Sequence, residues 1–170
     1  DNELYLTSMP IHELKSIEKT SVTKNDVIID EAIDLTPFFG KINTPSKFDL
    51  IFSSKNDYNF EFSNSLNEKV IIGYNKEKNN FFLDRTQSGK VDFEKGFASV
   101  NFAPRLSKSE DVRLSIYIDK SSFEIFADNG LSILTGVVFP NEDFTKIKVI
   151  SSKGATLKKA SYTPLKSIWK

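Results

Sequence analysis

Residues 113–127 read RLSIYIDKSSFEIFA, and this stretch decides the fold. Its first half alternates polar with apolar side chains, the apolar ones being Leu114, Ile116 and Ile118. After the turn at residues 119–122, Phe123 and Ile125 return to one face while the side chains between them take the other. A period of two with one apolar face is typical of a strand that covers a core. The stretch therefore predicts an antiparallel hairpin.

The same pattern recurs from Val27 onward. The predicted strands are VIIDEAIDL, FDLIFS, YNFEFS, KVIIGYN, NFFLDR, RLSIYID, SFEIFA, SILTGVVF and KIKVISS. Turn-forming residues separate them at about ten residues per strand and turn, which is the spacing of an antiparallel sandwich. The 15 Phe residues supply bulky side chains for the space between two sheets. We predict an all-β chain, an antiparallel two-sheet β-sandwich of the jelly-roll or lectin-like type.

The two ends of the chain depart from this pattern. Met9–Ile17 predicts a short helix with Pro10 near its first turn. We therefore divide the chain into a linker or docking segment, 1–24, and a β-sandwich domain, 25–170. The carboxyl end predicts a solvated edge strand and tail because it is rich in lysine, at Lys153, Lys158, Lys159, Lys166 and Lys170.

Composition excludes several classes of site. Lys and Arg number 23 and Asp and Glu number 23, a balance that argues against binding nucleic acid or membrane through bulk charge. With no Cys there is no disulfide, thiolate zinc site or cysteine nucleophile, and His12 is the only His. No apolar run approaches the roughly 18–20 residues of a membrane span. We expect no cofactor, no metal, no nucleic-acid partner and no membrane insertion.

Acidic residues are the first candidates for catalysis, because glycosidases use two carboxylates. The candidates are Asp84, Asp92, Asp119 and Glu124. A structural interpretation is favoured, in which Asp84 and Asp119 close strand ends through hydrogen bonds in turns. In that interpretation Glu124 pairs with Arg85 or Arg113. We predict no catalytic residue in this chain.

Aromatic side chains that stack on sugar rings are a second possibility. The candidates are Tyr58, Phe60, Tyr74, Tyr117 and Trp169. Aromatic residues in sandwich strands mostly belong to the core, so we expect roughly four in five to be buried. His12 is interpreted as an interface or capping residue. Calcium at Asn56-Asp57 or Asp128-Asn129 is less favoured than ordinary turn chemistry.

Two blocks of sequence resemble a known family. They are FFLDRTQSGKVDF, residues 81–93, and YIDKSSFEIFADNG, residues 117–130, followed by Phe139-Pro140. They are similar to the C-terminal β-sandwich module of glycoside hydrolase family 32, the invertases, inulinases and levanases. The family's D-R-[ST]-x-S-G pattern is matched at Asp84, Arg85, Thr86, Ser88 and Gly89. Its D-x-S-S-[VF]-E-[VIL]-F pattern, with a Gly turn and a Phe-Pro after it, is matched at Asp119, Ser121, Ser122, Phe123, Glu124, Phe126, Gly130 and Pro140.

The opening of the chain shares the resemblance. Residues 9–14, MPIHEL, are similar to the P-[VI]-x-E-L segment that links the family's catalytic domain to the sandwich. The resemblance implies that catalysis resides in an N-terminal β-propeller with an Asp nucleophile in an Asn-Asp-Pro-Asn-type motif. This chain contains no Asp-Pro pair. The implied function is a non-catalytic module that stabilises the catalytic β-propeller of the same polypeptide, a retaining fructosidase.

The resemblance also implies partners and a location. We expect contact with the propeller, weak binding of a fructan oligosaccharide, and dimerisation as in some family members. The parent enzyme is expected outside the cell, in the periplasm or at the cell surface. We interpret Asp84, Arg85, Asp119 and Glu124 as a polar network that ties strands together. Two alternatives remain open: a fructan-binding carbohydrate-binding module, and a stand-alone lectin-like adhesion domain.

Overall fold

The computed structural model describes residues 4–53 and 56–168 of the chain. It contains a 3-10 helix, His12–Ile17, and a four-residue helix α1, Thr36–Phe39. The strands are β1 Val22–Ile29, β2 Ala32–Asp34, β3 Ser46–Ser53, β4 Tyr58–Ser63, β5 Lys69–Asn75, β6 Asn80–Gln87, β7 Val100–Pro104, β8 Asp111–Asp119, β9 Ser122–Ala127, β10 Ser132–Val137, β11 Lys146–Ile150 and β12 Ala155–Pro164. Within the described ranges, neither helix has the length or the apolar character needed to cross a membrane.

The strands form two six-stranded sheets that face each other. Sheet I has the order β1-β12-β3-β8-β9-β10, and sheet II has the order β2-β11-β4-β5-β6-β7. Every pairing is antiparallel, and the hairpin β8–β9 runs from the pair Leu114↔Ala127 to the pair Asp119↔Ser122. The predicted fold class is therefore confirmed.

Phenylalanine rings join the two sheets at the centre. Phe48 of sheet I lies with its ring centroid 5.4 Å from that of Phe62 in sheet II, and Phe62 lies 5.3 Å from Phe123 of sheet I. All three side chains are buried. Each contributes about 1.5–3 kcal/mol through removal of its apolar surface from water. The alternation of each strand selects these residues because every second side chain points between the sheets.

The carboxyl end corrects one expectation. Strand β12 is not an edge strand, since it lies between β1 and β3 and pairs with both. Its outer face is buried at Ser161 and Thr163, whose hydroxyls form 2.7 Å hydrogen bonds with Thr23 and Ser21. The lysines of β12 are exposed on the outer face, and an outward-facing lysine is as compatible with an inner strand as with an edge.

The amino-terminal part also differs from the expectation in detail. The helix predicted over Met9–Ile17 is a 3-10 helix that begins only at His12, because Ile11 is extended and supplies no side-chain cap. Strand β1 begins at Val22 and so runs across the boundary predicted between residues 24 and 25. Strand β7 was not predicted, because Val100–Pro104 is too short to show a period.

Candidate functional site

The segment of residues 8–19, here called the N-terminal strap, crosses the outer face of sheet I. At one end the Ser8 amide donates a hydrogen bond to the Gly130 carbonyl at 3.1 Å. At the other end the Lys19 amide donates to the Pro164 carbonyl at 2.9 Å. Gly130 has a φ of +79°, and a Cβ there would collide with the Ser8 carbonyl oxygen. The turn therefore requires glycine both for its backbone angle and for the approach of the strap.

A charged cluster fixes the strap beside its helix. The Lys47 ammonium lies 3.1 Å from Glu18 Oε1 and 3.1 Å from Asp49 Oδ2, and 5.7 Å from the centre of the Tyr117 ring. Partial burial acts to lower the pKa of Lys47, but the hydrogen bonds and charges of Asp49 and Glu18 outweigh it and raise that pKa. The strap is thus held by backbone bonds at its ends and by an ion pair after its helix.

A groove of about 450 Å³ lies between the strap and sheet I. Its floor consists of outward-facing residues of the β8–β9 hairpin, namely Tyr117, Asp119, Ser122, Glu124 and Phe126. Met9 and Ile11 of the strap form one wall, and Ile168 belongs to the other. All five floor residues belong to the second sequence block, residues 117–130. We call this space the strap groove.

The strap groove combines aromatic surface with carboxylates. The rings of Tyr117 and Phe126 meet edge to face, with centroids 6.0 Å apart. Asp119 Oδ1 accepts a 2.8 Å hydrogen bond from the Lys120 amide, within its own turn. Glu124 is exposed, and its carboxylate makes no ion pair or hydrogen bond with any residue that the structure describes. Its predicted pairing with an arginine is therefore wrong.

A second cluster, here called the Arg85 cluster, lies between the β6–β7 loop and the end of β10. Arg85 Nη1 donates to the Val137 carbonyl at 3.0 Å, and its Nε and Nη2 lie 3.4 and 3.3 Å from the Ser99 hydroxyl. The guanidinium carbon is 4.3 Å from the centre of the Phe97 ring. Phe97 stacks on Phe139, with centroids 5.6 Å apart. Arg85 is thus held by neutral acceptors and an aromatic face.

The first sequence block closes onto the Phe-Pro pair at this cluster. Gly89 has a φ of +112°, and a Cβ there would overlap the Phe139 carbonyl oxygen and the Pro140 Cα. The Lys90 amide donates to the same Phe139 carbonyl at 2.8 Å. Ser88, beside Gly89, is fully buried. Residues about fifty positions apart in the sequence are therefore in direct contact.

The polar network expected among Asp84, Arg85, Asp119 and Glu124 is not formed. Asp84 Oδ1 accepts bonds from the amide and hydroxyl of Thr86, at 2.9 and 2.7 Å. Asp84 and Arg85 belong to sheet II, whereas the other two lie in the strap groove on sheet I. Alternation identifies the buried face of a strand, but it does not say to which sheet the strand belongs. The turn bond expected at a strand end is confirmed for Asp119, whereas Asp84 lies within β6 and its bonds to Thr86 close no strand end. Asp92 is exposed.

The strongest polar site was missed by sequence reasoning. Arg105 Nε lies 2.7 Å from Asp128 Oδ2, and the two side chains are only 5% and 4% exposed. Arg105 Nη2 also donates to the carbonyls of Ser109 and Asp111, at 2.7 and 3.0 Å. Burial acts to lower the pKa of the Arg105 guanidinium, but the hydrogen bond and the charge of Asp128 together have the larger effect and raise that pKa. Asp128 directly follows an apolar strand and precedes Asn129-Gly130, so it was interpreted only as a turn residue.

Fewer aromatic side chains are buried than the four in five expected, because rings such as those of Phe102, Tyr117 and Phe126 are exposed or half-buried on their strands. Tyr58, Phe60 and Tyr74 are buried in the core, whereas Tyr117 lies half-buried in the strap groove. Trp169 lies outside the described residues. Sugar stacking by Tyr58, Phe60 and Tyr74 is therefore excluded by their burial. His12 is exposed on the strap.

The side chains considered for calcium are engaged within the protein. Asn56 Nδ2 donates to the carbonyls of Lys153 and Gly154, at 2.9 and 2.7 Å. Asp57 Oδ1 accepts a 2.7 Å bond from the Lys76 amide. Across residues 4–53 and 56–168, no group of three or more His, Asp or Glu side chains is placed to hold a metal ion. Contacts with residues distant in sequence, rather than turn chemistry, therefore engage Asn56 and Asp57, and Asp128 pairs with Arg105.

A comparison with protein-family models matches this chain to a known domain. The model described as "Glycosyl hydrolases family 32 C terminal" matches residues 13–166, which include both sequence blocks and both clusters. The chain belongs to this family. The resemblance deduced from the two blocks is therefore confirmed.

Individual relatives agree with the family assignment. The extracellular exo-inulinase inuE of Aspergillus niger is 42% identical over 95 residues, 55% of this chain and 18% of that protein. The levanase of Bacillus subtilis is 26% identical over 167 residues, 94% of this chain and 24% of that protein. The crystal structure of an exo-inulinase from Aspergillus awamori superposes with a TM-score of 0.81 at 29% identity, covering 97% of this chain and 33% of that chain.

This family 32 C-terminal domain is thus much shorter than the proteins that it resembles. It spans about a fifth of the curated relatives and a third of the solved exo-inulinase. The chain is similar to the C-terminal part of larger glycosidases. The remaining, longer part of those enzymes has no counterpart in these 170 residues.

Proposed function

We propose that this family 32 C-terminal domain is a non-catalytic module that stabilises the catalytic domain of a fructan- or sucrose-cleaving enzyme in the same polypeptide. One observation carries the proposal: the segment leading into the strap exposes apolar side chains. Leu4 and Leu6 are 100% and 93% exposed, and Met9 and Ile11 are exposed as well. Contiguous exposed apolar side chains mark a surface that a partner covers.

The relatives support the substrate class. Their names include exo-inulinase, levanase and sucrose-6-phosphate hydrolase. Inulin, levan and sucrose phosphate all contain fructosyl units, so the proposed parent acts on fructosyl bonds. Because the exo-inulinases of Aspergillus niger and Aspergillus awamori are named extracellular, we propose an extracellular parent enzyme.

The placement of the carboxylates supports a module without catalysis of its own. Asp84 lies on the other sheet from Asp119 and Glu124, so it does not share a cleft with them. Asp119 and Glu124 line one groove, but both are exposed. A glycosidase acid requires an apolar environment that keeps it protonated, and an exposed carboxylate lacks that environment.

Thermal unfolding tests the stabilising role. The longer polypeptide that carries this module is compared with its catalytic part alone, and activity on inulin and levan is followed during heating. We expect the catalytic part alone to lose activity at a lower temperature, because apolar surface would be left uncovered. Equal inactivation temperatures would contradict a stabilising role.

Calorimetry distinguishes a fructan-binding module from a module that only stabilises the catalytic domain. The 170-residue chain is titrated with inulin and levan oligosaccharides. Saturable heat with a Kd near or below about 1 mM, roughly −4 kcal/mol, would identify a binding module. We expect no saturable heat, because Tyr58, Phe60 and Tyr74 are buried. Saturable heat would point to Tyr117 and Phe126, whose rings line the strap groove.

A further inference from the structure

We propose that the strap groove receives an arginine-bearing segment of the catalytic domain. This inference rests on the proposed function and adds the site of contact and the chemistry of the partner. It depends on three properties of the groove: its position beside the chain entry, its carboxylates, which form no ion pair within the described residues, and its aromatic floor.

The position of the groove favours an occupant from the same polypeptide. Met9 and Ile11, which form one wall, directly follow the exposed apolar residues Leu4 and Leu6. Ile168, in the opposite wall, is also largely exposed. Because the family is a C-terminal one and the relatives are several times longer, the catalytic domain joins the module at the strap. A domain that covers these side chains also covers the groove.

The carboxylates define the chemistry of the occupant. The Glu124 carboxylate has no partner among the described residues, and that of Asp119 is bonded there only to the Lys120 amide of its own turn. Lys166 also lines the groove, but in the described part of the chain it forms no ion pair with either carboxylate. When a partner covers a carboxylate, the carboxylate loses its bound water, and this costs free energy unless the partner donates hydrogen bonds in return. An occupant must therefore bring hydrogen-bond donors.

The aromatic floor favours arginine over lysine as that donor. Tyr117 and Phe126 present ring surface next to Glu124 on the same hairpin. A planar guanidinium stacks on such a surface while donating two parallel bonds to a carboxylate. The domain already stacks one guanidinium on a ring, where Arg85 lies over Phe97, although its acceptors there are neutral.

The groove exists before any partner docks. Hydrogen bonds at both ends of the strap and the ion pair between Lys47 and Glu18 hold its wall in place. A preorganised site loses little conformational entropy on association. The strap groove therefore behaves as a rigid receptor for the catalytic domain.

The test compares Glu124→Gln with a matched control, Glu77→Gln, in the longer polypeptide and in the 170-residue chain. Glu77 is an exposed glutamate in the β5–β6 turn, away from the groove. We expect Glu124→Gln to weaken docking of the two domains at least about tenfold, equivalent to about 1.4 kcal/mol. The measurement is differential scanning calorimetry of the longer polypeptide. It shows whether the catalytic domain and the module unfold together or in two separate transitions. The 170-residue chain should unfold at the same temperature with either substitution.

Each outcome has a distinct meaning. If the two domains of the unmodified polypeptide unfold independently, the proposed stabilising function fails. If they unfold together and Glu124→Gln behaves like Glu77→Gln, the function stands and the groove is not the docking site. If inulin or levan oligosaccharides bind the longer polypeptide with a saturable heat that Glu124→Gln abolishes, the groove is a sugar site and the proposal is overturned.

Discussion

Two arginines of this domain connect distant parts of the chain in opposite environments. Arg105 is almost fully buried and pairs with the equally buried Asp128, 2.7 Å away. Arg85 is half-buried and uses a carbonyl, a hydroxyl and the face of Phe97 instead. Only Arg85 belongs to the sequence pattern of the family, yet Arg105 makes the stronger interaction.

The difference shows what burial demands of a charge. A guanidinium removed from water needs an ionised acceptor, because neutral acceptors alone do not replace its hydration. At a half-exposed position water still contributes, so neutral acceptors and a ring are enough. Membership in a sequence motif therefore does not rank residues by their contribution to stability. Four substitutions test the contrast between buried and half-buried charged side chains and the contacts around them.

The largest effect is expected for Asp128→Asn. The substitution keeps the side-chain shape and suits the positive φ of 46° at this position, but it leaves Arg105 buried without a countercharge. We expect a loss of about 3–5 kcal/mol in the free energy of unfolding, measured by urea denaturation. The control Asp119→Asn, at an exposed turn, should change it by less than about 0.5 kcal/mol. A similar small change in both variants would contradict the contrast.

Gly89→Ala tests the contact that closes the Arg85 cluster. Gly89 and Gly96 both have positive φ angles, +112° and +89°, but only Gly89 is pressed against Phe139 and Pro140. Backbone strain alone costs about 1–3 kcal/mol. We expect Gly89→Ala to destabilise the domain by at least about 1 kcal/mol more than Gly96→Ala, since the backbone must also move. Equal unfolding midpoints for the two variants would show that the close approach is not important.

Arg85→Ala should have a smaller effect. It removes the bonds to Val137 and Ser99 and the packing on Phe97. The expected loss is about 1–2 kcal/mol, well below that of Asp128→Asn, because the acceptors left behind remain accessible to water. Arg113→Ala is the control, since Arg113 is exposed and the bonds described for it are those of its backbone. A melting temperature unchanged in Arg85→Ala would contradict the role of this cluster.

The smallest effect is expected for Lys47→Met, and it depends on pH. The pKa of Lys47 is raised in the folded protein by Asp49 and Glu18, so its stabilising contribution is complete below the unfolded pKa, near 10.4. The contribution declines as the pH rises from there towards the folded pKa. We expect the variant to be less stable by up to about 1 kcal/mol at pH 8. The difference should narrow by pH 11 in urea denaturation, and a constant difference would exclude this linkage.

Local pattern was sufficient for most strands and for the family, but it missed β7 and predicted one strand over residues 27–35, where the structure has β1 and β2 in different sheets. The alternation at Leu114, Ile116 and Ile118 predicted a strand whose inner face is buried, and the turn at residues 119–122 predicted its hairpin. These features depend on near neighbours, because a strand's period and a tight turn are decided within a few residues. The two sequence blocks identified the family for the same reason, being contiguous stretches of chain.

The order of the strands and the sites on them depended on distant residues. Strand β12 lies inside sheet I because Ser161 and Thr163 pair with residues about 140 positions earlier, and lysine content says nothing about such a pairing. The ion pair between Arg105 and Asp128 and the strap groove likewise join segments whose distance in sequence leaves no periodic signal. Sequence alone determined which side of each strand is apolar and to which family the chain belongs. Only the tertiary structure decided which polar side chains meet, because hydrogen bonds and ion pairs depend on positions set by the packing of both sheets.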